Sequence, residues 1–293
     1  MRLFLLSALT MVAFAANSLL TRAGVHGAGL ETNTFALVRL ASGAFVLLVL
    51  CLIGGHRIQL VNWRRALSVF GLSLYIIGFT DAYRAMDSGT GALLLFGTVQ
   101  ITMFAGALLL REALPVLRVV GACVAFVGLM YLVWPWQDIA QDPVAVAMMG
   151  AAGLGWGLYS LAGRGSAAPL PDTAANFLLA AMVVPGVFLI LGYDATPLGN
   201  LGDNPAGMGF AIASGALASG LGYALWFRVL PQLDASVSAV AQLTVPPIAM
   251  AGGMLFLDEA LSLKFVIASV IILGGVAVSV LGPRYFAKSS NAS

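Results

Sequence analysis

Stretches of about 20 mostly apolar residues, separated by short turn-rich segments, fill nearly the whole chain. A helix of about 20 residues crosses the hydrocarbon core of a bilayer, so each stretch is long enough to span it. Charged residues make up 9% of the chain, against about 25% in soluble domains. The sequence therefore predicts an all-α polytopic membrane protein with ten transmembrane helices. We place these helices at residues 3–24, 33–54, 64–86, 88–110, 115–134, 144–163, 173–192, 206–229, 235–257 and 262–281.

Basic residues are distributed unevenly among the predicted loops. If the N-terminus is cytoplasmic, most Arg and Lys residues fall on the cytoplasmic side, and the opposite side receives Arg22, Arg84 and Lys264. Cytoplasmic loops of membrane proteins carry an excess of Lys and Arg. We therefore expect both termini to be cytoplasmic.

The chain repeats itself at about half its length. A shift of 147 residues places residues 109–115 on 256–262, and a shift of 142 places residues 14–18 on 156–160. Because five spans per half is an odd number, the second half crosses the membrane in the opposite direction. Inverted repeats of this kind are common in secondary transporters and enclose a site near the midplane. We place the two repeats at residues 1–137 and 138–293.

Residues 233–247 (LDASVSAVAQLTVPP), 256–262 (FLDEALS) and 274–276 (GGV) resemble the repeat of the drug/metabolite transporter superfamily, the EamA-like exporters. The resemblance covers essentially the whole chain in two copies, and it is strongest to the YddG-type aromatic amino-acid exporters. The first half departs from the pattern at Val99-Gln100, where the second half has Pro246-Pro247. We expect a bend near the prolines and a polar side chain at Gln100.

The resemblance implies a secondary transporter in the bacterial inner membrane. It would export small organic metabolites, amino acids including aromatic ones, by alternating access. A permease for nucleotide-sugars, phosphorylated metabolites or drugs is the alternative. A phosphate-carrying substrate would require several basic residues in the pore, and the spans contain few.

Polar and aromatic residues inside the spans are the candidates for a substrate site. Tyr75, Phe79 and Tyr83 are spaced i, i+4 and i+8, which puts them on one helical face. An amphipathic cavity with aromatic walls suits small zwitterions or moderately apolar metabolites. For each residue alone, packing against helices or lipid is an equally good interpretation. The set that we predict to bind substrate is Asn17, Tyr75, Phe79, Tyr83, Phe96, Gln100, Trp156, Tyr159, Tyr223, Trp226 and Gln242.

Arg39 is the basic residue that lies farthest from the ends of a predicted span. It lies six residues into the second span, and its long side chain could reach the outer surface. A structural anchor at that surface and a ligand for a substrate carboxylate are both open interpretations. Asp81 and Arg84, three residues apart, are expected to pair as a gate or a surface ion pair.

The acidic residues all lie at or near span ends, which favours facilitated movement or exchange over a proton antiporter built on buried carboxylates. No nucleophile with a base, metal cluster or paired carboxylates at depth indicates an enzyme. A structural membrane subunit would have no reason to carry an inverted repeat. We expect no cofactor, metal or nucleic acid, and a monomer whose partners are the lipid bilayer and its small-molecule substrate.

Overall fold

The computed structural model of the chain describes residues 2–62, 65–109, 115–134, 142–163, 166–190, 192, 204–229, 232, 241–242 and 244–290. Long helices account for nearly all of these residues. Helices α1 to α7 are Arg2–Arg22, Thr32–Ile53, Arg65–Ala82, Ser88–Leu109, Val116–Val133, Pro143–Gly163 and Pro169–Ile190. Helix α8 joins Pro205–Ala213, the π-helical stretch Ser214–Leu221 and Gly222–Val229, and helices α9 and α10 are Val245–Phe256 and Leu263–Ser290.

The described helices start and stop close to the predicted positions, with two exceptions. Helix α10 continues to Ser290, nine residues beyond its predicted end. Helix α9 begins at Val245 with Pro246 in its first turn, where the missing N–H of proline breaks no helical hydrogen bond. The expected bend near Pro246 is therefore a helix start in the described residues. Most of the first half of the ninth predicted span lies outside them.

Large apolar side chains such as Phe4, Ile53, Phe70, Met182 and Val270 point outward from the bundle. A water-soluble protein rarely exposes so much contiguous apolar surface, whereas lipid solvates it well. Within the described ranges, six helices are long and apolar enough to cross a membrane, and three further apolar helical stretches are shorter: Val119–Leu132, Val245–Phe256 and Leu263–Ser279. The chain is a multi-pass helical membrane protein, and the exact count of ten stays a prediction.

Contacts between helix ends define two ends of the bundle. At one, the Glu259 end, Arg22 at the close of α1 lies beside Glu259. At the other, the Asp172 end, Arg65 at the start of α3 lies beside Asp172 of α7. The last residue of α6, Gly163, borders the same pocket as Asp172. Helices α1 and α6 therefore run in opposite directions, as an inverted repeat predicts.

Helices of the two halves pack against each other in pairs. Helix α3 packs along α6. Under the repeat these two helices correspond to α8 and α1, which also contact each other. Helix α5 packs along α10, its own counterpart. Helices α3 and α6 meet at Gly71 and Gly155, where an added Cβ would lie 2.6–2.7 Å from the backbone oxygen of the other glycine. Small residues at this crossing bring the third and sixth helices close together.

Candidate functional site

A small cavity lies where helices of both halves meet. Its free volume is about 10 Å³, room for about one water molecule. Helices α1, α3, α4, α6 and α8 each contribute to its wall. The residues that line it are Phe14, Asn17, Ser18, Tyr75, Phe79, Leu95, Phe96, Trp156 and Tyr223.

The indole of Trp156 is at the centre of a connected aromatic cluster. Its ring centroid lies 5.0 Å from that of Tyr75, 5.0 Å from Tyr223, 5.6 Å from Tyr159 and 6.1 Å from Phe14. Tilted and edge-on pairs at such distances contribute about 0.5–1.5 kcal/mol each beyond simple burial. The cluster therefore closes the cavity through many favourable contacts that a ligand would have to replace.

A chain of hydrogen bonds runs past the same cavity and joins α1, α2, α3 and α8. Arg39 donates from Nη2 to the Tyr75 hydroxyl at 2.8 Å and from Nε to the Ser219 hydroxyl at 3.2 Å. Asn17 Nδ2 donates to the same Tyr75 oxygen at 3.0 Å, and the Ser214 hydroxyl donates to Asn17 Oδ1 at 2.6 Å. Ser214 and Ser219 both lie on the π-helical stretch, a distortion that often occurs at functional sites.

Arg39 is completely buried, so an anchor at the bundle surface is the wrong interpretation of this residue. Its guanidinium carbon lies 5.1 Å from the ring centre of Tyr75 and 4.9 Å from that of Phe79. Desolvated cation–π contacts contribute about 2 kcal/mol, whereas an arginine at mid-membrane costs about 2.5–3.5 kcal/mol on insertion scales. The two rings and two hydroxyls thus offset much of the cost of burying the charge.

Side chains close the bundle at the Glu259 end. The Glu259 carboxylate accepts from the backbone N–H of Ser88, the first residue of α4, at 2.8 and 3.0 Å. It also lies 3.7 Å from Arg22, which pairs with Asp87 at 3.4 Å. A carboxylate at a helix N-terminus is stabilised by the unpaired amides and the helix dipole. Glu259 therefore ties the loop after α9 to the start of α4 and the end of α1.

Burial raises the pKa of Glu259, although the hydrogen bonds from Ser88 and the charge of Arg22 oppose this shift. Tyr83 packs edge-on against Phe79, with ring centroids 4.8 Å apart, and its hydroxyl donates to the Ser88 carbonyl. Tyr83 therefore fills the space between the cavity and the Glu259 network. The expected Asp81–Arg84 pair is present at 3.1 Å, with an exposed Arg84 side chain.

The Asp172 end contains a larger pocket of about 450 Å³, which we call the vestibule. The end of α6, the starts of α3 and α7 and the described residues just before those starts contribute to its wall, among them Arg57, Arg65, Tyr159 and Asn176. Arg65 pairs with Asp172 at 2.8 Å and donates to Asn176 at 3.2 Å. Because Tyr159 also packs against Trp156, these two rings separate the vestibule from the central cavity.

Six of the residues predicted from the sequence surround the cavity: Asn17, Tyr75, Phe79, Phe96, Trp156 and Tyr223. Three others lie one side-chain layer away. Tyr159 lines the vestibule, Tyr83 faces the Glu259 end, and Trp226 lies 5.7 Å from Phe14 between ring centroids.

Gln100 and Gln242 are half-buried and are not among the residues that line the cavity. Their part in binding, like that of the whole set, stays a prediction. The prediction omitted Phe14 and Ser18 on α1 and the two serines of the π-helical stretch. Phe14 is the repeat counterpart of Trp156, a signal that the sequence already contained.

The described helices expose apolar side chains on the outside and surround a small cavity, as expected of a helical membrane protein with an internal site. The model of the EamA-like transporter family matches residues 1–134 and again residues 144–281. The chain belongs to the EamA-like transporter family. Members of this family are transporters and not enzymes, so the chain is a membrane transporter.

Two relatives and one solved structure are similar to the chain over most of its length. The uncharacterized protein PA1977 of Pseudomonas aeruginosa is 40% identical over 285 residues, which cover 97% of this chain and 96% of that protein. An uncharacterized transporter of Archaeoglobus fulgidus is 23% identical and covers 73% of this chain and 76% of the relative. One protein of known crystal structure, 20% identical, superposes with a TM-score of 0.64 over 93% of this chain and 98% of its own, and shares the fold.

Proposed function

We propose that this protein is a secondary transporter that exports small organic metabolites, namely amino acids including aromatic ones, across the bacterial inner membrane. The observation that carries the proposal is the central cavity, which combines aromatic walls with the amide of Asn17 and the hydroxyls of Ser18 and Tyr75. Aromatic rings contact apolar side chains or an ammonium group, and the polar tips supply hydrogen bonds. A zwitterion with an apolar side chain matches both kinds of surface.

The two ends of the bundle differ in a way that supports alternating access. The Glu259 network seals one end, whereas the vestibule at the other end reaches as far as Tyr159. On our proposal that both termini are cytoplasmic, the vestibule would face the cytoplasm, and this arrangement would correspond to an inward-facing state with a small central cavity. Substrate would enter from the vestibule when Trp156 and Tyr159 move apart, and would leave after the Glu259 network separates.

The charges near the cavity disfavour the alternative substrates that carry phosphate, namely nucleotide-sugars and phosphorylated metabolites. Arg39 is the one cation whose hydrogen-bond partners line the cavity in the described part of the chain, and a phosphate group would require several. The carboxylate of Glu259 is buried, but it lies at an end of the bundle and not in the cavity wall. We therefore propose facilitated movement or exchange without proton coupling.

Counterflow into proteoliposomes tests the proposal. Vesicles that contain the purified protein and a high internal concentration of one unlabelled amino acid should accumulate the same labelled amino acid, and empty vesicles should not. The accumulation should be unchanged when a pH gradient is imposed, because the proposed mechanism moves no proton with the substrate. Absence of counterflow for the whole panel of amino acids would contradict the substrate class, and dependence on the pH gradient would contradict the mechanism.

A further inference from the structure

The guanidinium of Arg39 has neutral partners in an otherwise apolar environment. It contacts the hydroxyls of Tyr75 and Ser219 and the rings of Tyr75 and Phe79. The ion pairs among the described residues involve other arginines. A buried arginine normally pairs with a carboxylate, since a planar guanidinium binds one through two parallel hydrogen bonds. Among the described residues, Arg39 has no such carboxylate partner.

One nitrogen of the same side chain is unused. Nη1 of Arg39 is buried and has no hydrogen-bond partner, whereas Nε and Nη2 both donate. An unpaired donor on a buried charged group is costly and in a natural protein calls for an explanation. A ligand that arrives during the transport cycle would supply the missing acceptor.

Two donors from different helices converge on a single oxygen at the edge of the cavity. The Tyr75 hydroxyl accepts from Arg39 Nη2 of α2 and from Asn17 Nδ2 of α1. The hydroxyl of Ser214 donates to Asn17 Oδ1 and thereby orients the amide so that its N–H groups face Tyr75. A guanidinium and an amide that converge on one oxygen form the donor pattern that binds an oxyanion. In the closed state the neutral Tyr75 hydroxyl occupies that position.

We propose that Arg39, assisted by Asn17, recognises a carboxylate of the transported substrate. This inference rests on the proposed transport function and names the group by which the substrate is selected. The carboxylate takes the place of the Tyr75 hydroxyl when the cavity opens, and Nη1 gains an acceptor. The rings of Trp156, Tyr223 and Phe14 then contact the rest of the substrate. A single guanidinium matches a single carboxylate better than a phosphate dianion.

A comparison of an amino acid with its amide tests this inference separately from the transport function. Phenylalanine and phenylalaninamide differ in the carboxylate, so they test recognition of this group with the native protein. We expect phenylalanine to compete at least about tenfold better than the amide for counterflow of the labelled amino acid in wild-type proteoliposomes. Equal competition would overturn the assignment of Arg39 while leaving transport intact. Absence of any counterflow in wild type would instead overturn the proposed function, and with it this inference.

Substitutions of Arg39 test whether its side chain distinguishes phenylalanine from the amide. We expect Arg39→Gln to lose the preference for phenylalanine and Arg39→Lys to retain part of it, because lysine keeps the charge without the planar fork. The matched control is Arg84→Gln, which removes an exposed arginine and should keep the wild-type preference. A thermal-shift assay in detergent reports whether phenylalanine still stabilises each variant, independently of transport. Full retention of the preference in Arg39→Gln would overturn the proposal.

Discussion

At the scale of single residues, aromatic contacts close the space around the central cavity. Trp156 contacts Tyr75, Tyr159, Tyr223 and Phe14, so it is the ring that most of the cluster shares. A ligand that enters must displace some of these contacts and replace them with its own. The indole therefore acts both as a wall of the cavity and as part of its closure towards the vestibule.

Replacement of Trp156 by alanine should reduce counterflow of the preferred amino acid about tenfold or more. The variant loses several ring contacts, each worth about 0.5–1.5 kcal/mol, and with them the surface that would hold the substrate. The measurement is the initial rate of counterflow at equal amounts of inserted protein. Trp134→Ala is the matched control, because this exposed tryptophan lies at the end of α5 and should leave the rate unchanged. Equal rates for Trp156→Ala and wild type would remove Trp156 from the substrate path.

The residues of the site were partly predictable from the sequence. Tyr75, Phe79 and Trp156 were identified because polar and aromatic side chains are conspicuous within apolar spans. The direction of Arg39 could not be predicted, because a long side chain can reach the surface or fold inward with equal ease. Its inward position depends on Ser219, 180 residues away in the chain, and on a π-helical stretch that has no simple sequence signature.

At the scale of helices and loops, Glu259 connects elements that are far apart in the sequence and meet at one end of the bundle. Its carboxylate caps α4 from a loop of the other half and lies close to Arg22 of α1. Hydrogen bonds to a charged group contribute about 1.5–3 kcal/mol. Separation of these helix ends during transport would have to break this network.

Glu259→Gln should loosen the Glu259 end. The neutral amide accepts weaker hydrogen bonds from Ser88 and leaves Arg22 with one acidic partner fewer. We expect a cysteine at Met86, a fully buried position near this end, to react about tenfold faster with a thiol reagent in the variant than in its parent. Both proteins would have Cys51 and Cys123 replaced by alanine.

The control for this experiment is Glu31→Gln, at an exposed position on the same end whose side chain makes no cap hydrogen bond. It should leave the labelling rate of the cysteine at position 86 unchanged. An unaltered rate in Glu259→Gln would mean that the network does not hold this end closed. A tenfold increase in both variants would point to a general effect of removing negative charge.

Helix positions were predictable to within a few residues, because apolar stretches of spanning length are the dominant signal of the sequence. Gly282 and Pro283 follow the predicted end of α10 at residue 281, yet the helix continues to Ser290. A proline inside a helix costs about 3 kcal/mol or more, so the sequence alone favours a stop there.

At the scale of the whole molecule, the two halves enter the bundle from opposite ends and pack around one cavity. The family model matches the chain twice, over residues 1–134 and 144–281. The structure combines a sealed Glu259 end with a vestibule at the Asp172 end. Two like halves of opposite direction can adopt a second arrangement in which these roles are exchanged. Our account requires that the molecule visits both arrangements.

Distances between spin labels across each end test this requirement most directly. One pair would join Glu31 and Leu261 at the Glu259 end, and the other would join Gln59 and Ala167 at the Asp172 end, all of them exposed positions. We predict two distances for each pair in lipid, with a transported amino acid shifting the populations at the two ends in opposite senses. A single unchanged distance at both ends, in a preparation that transports, would contradict alternating access.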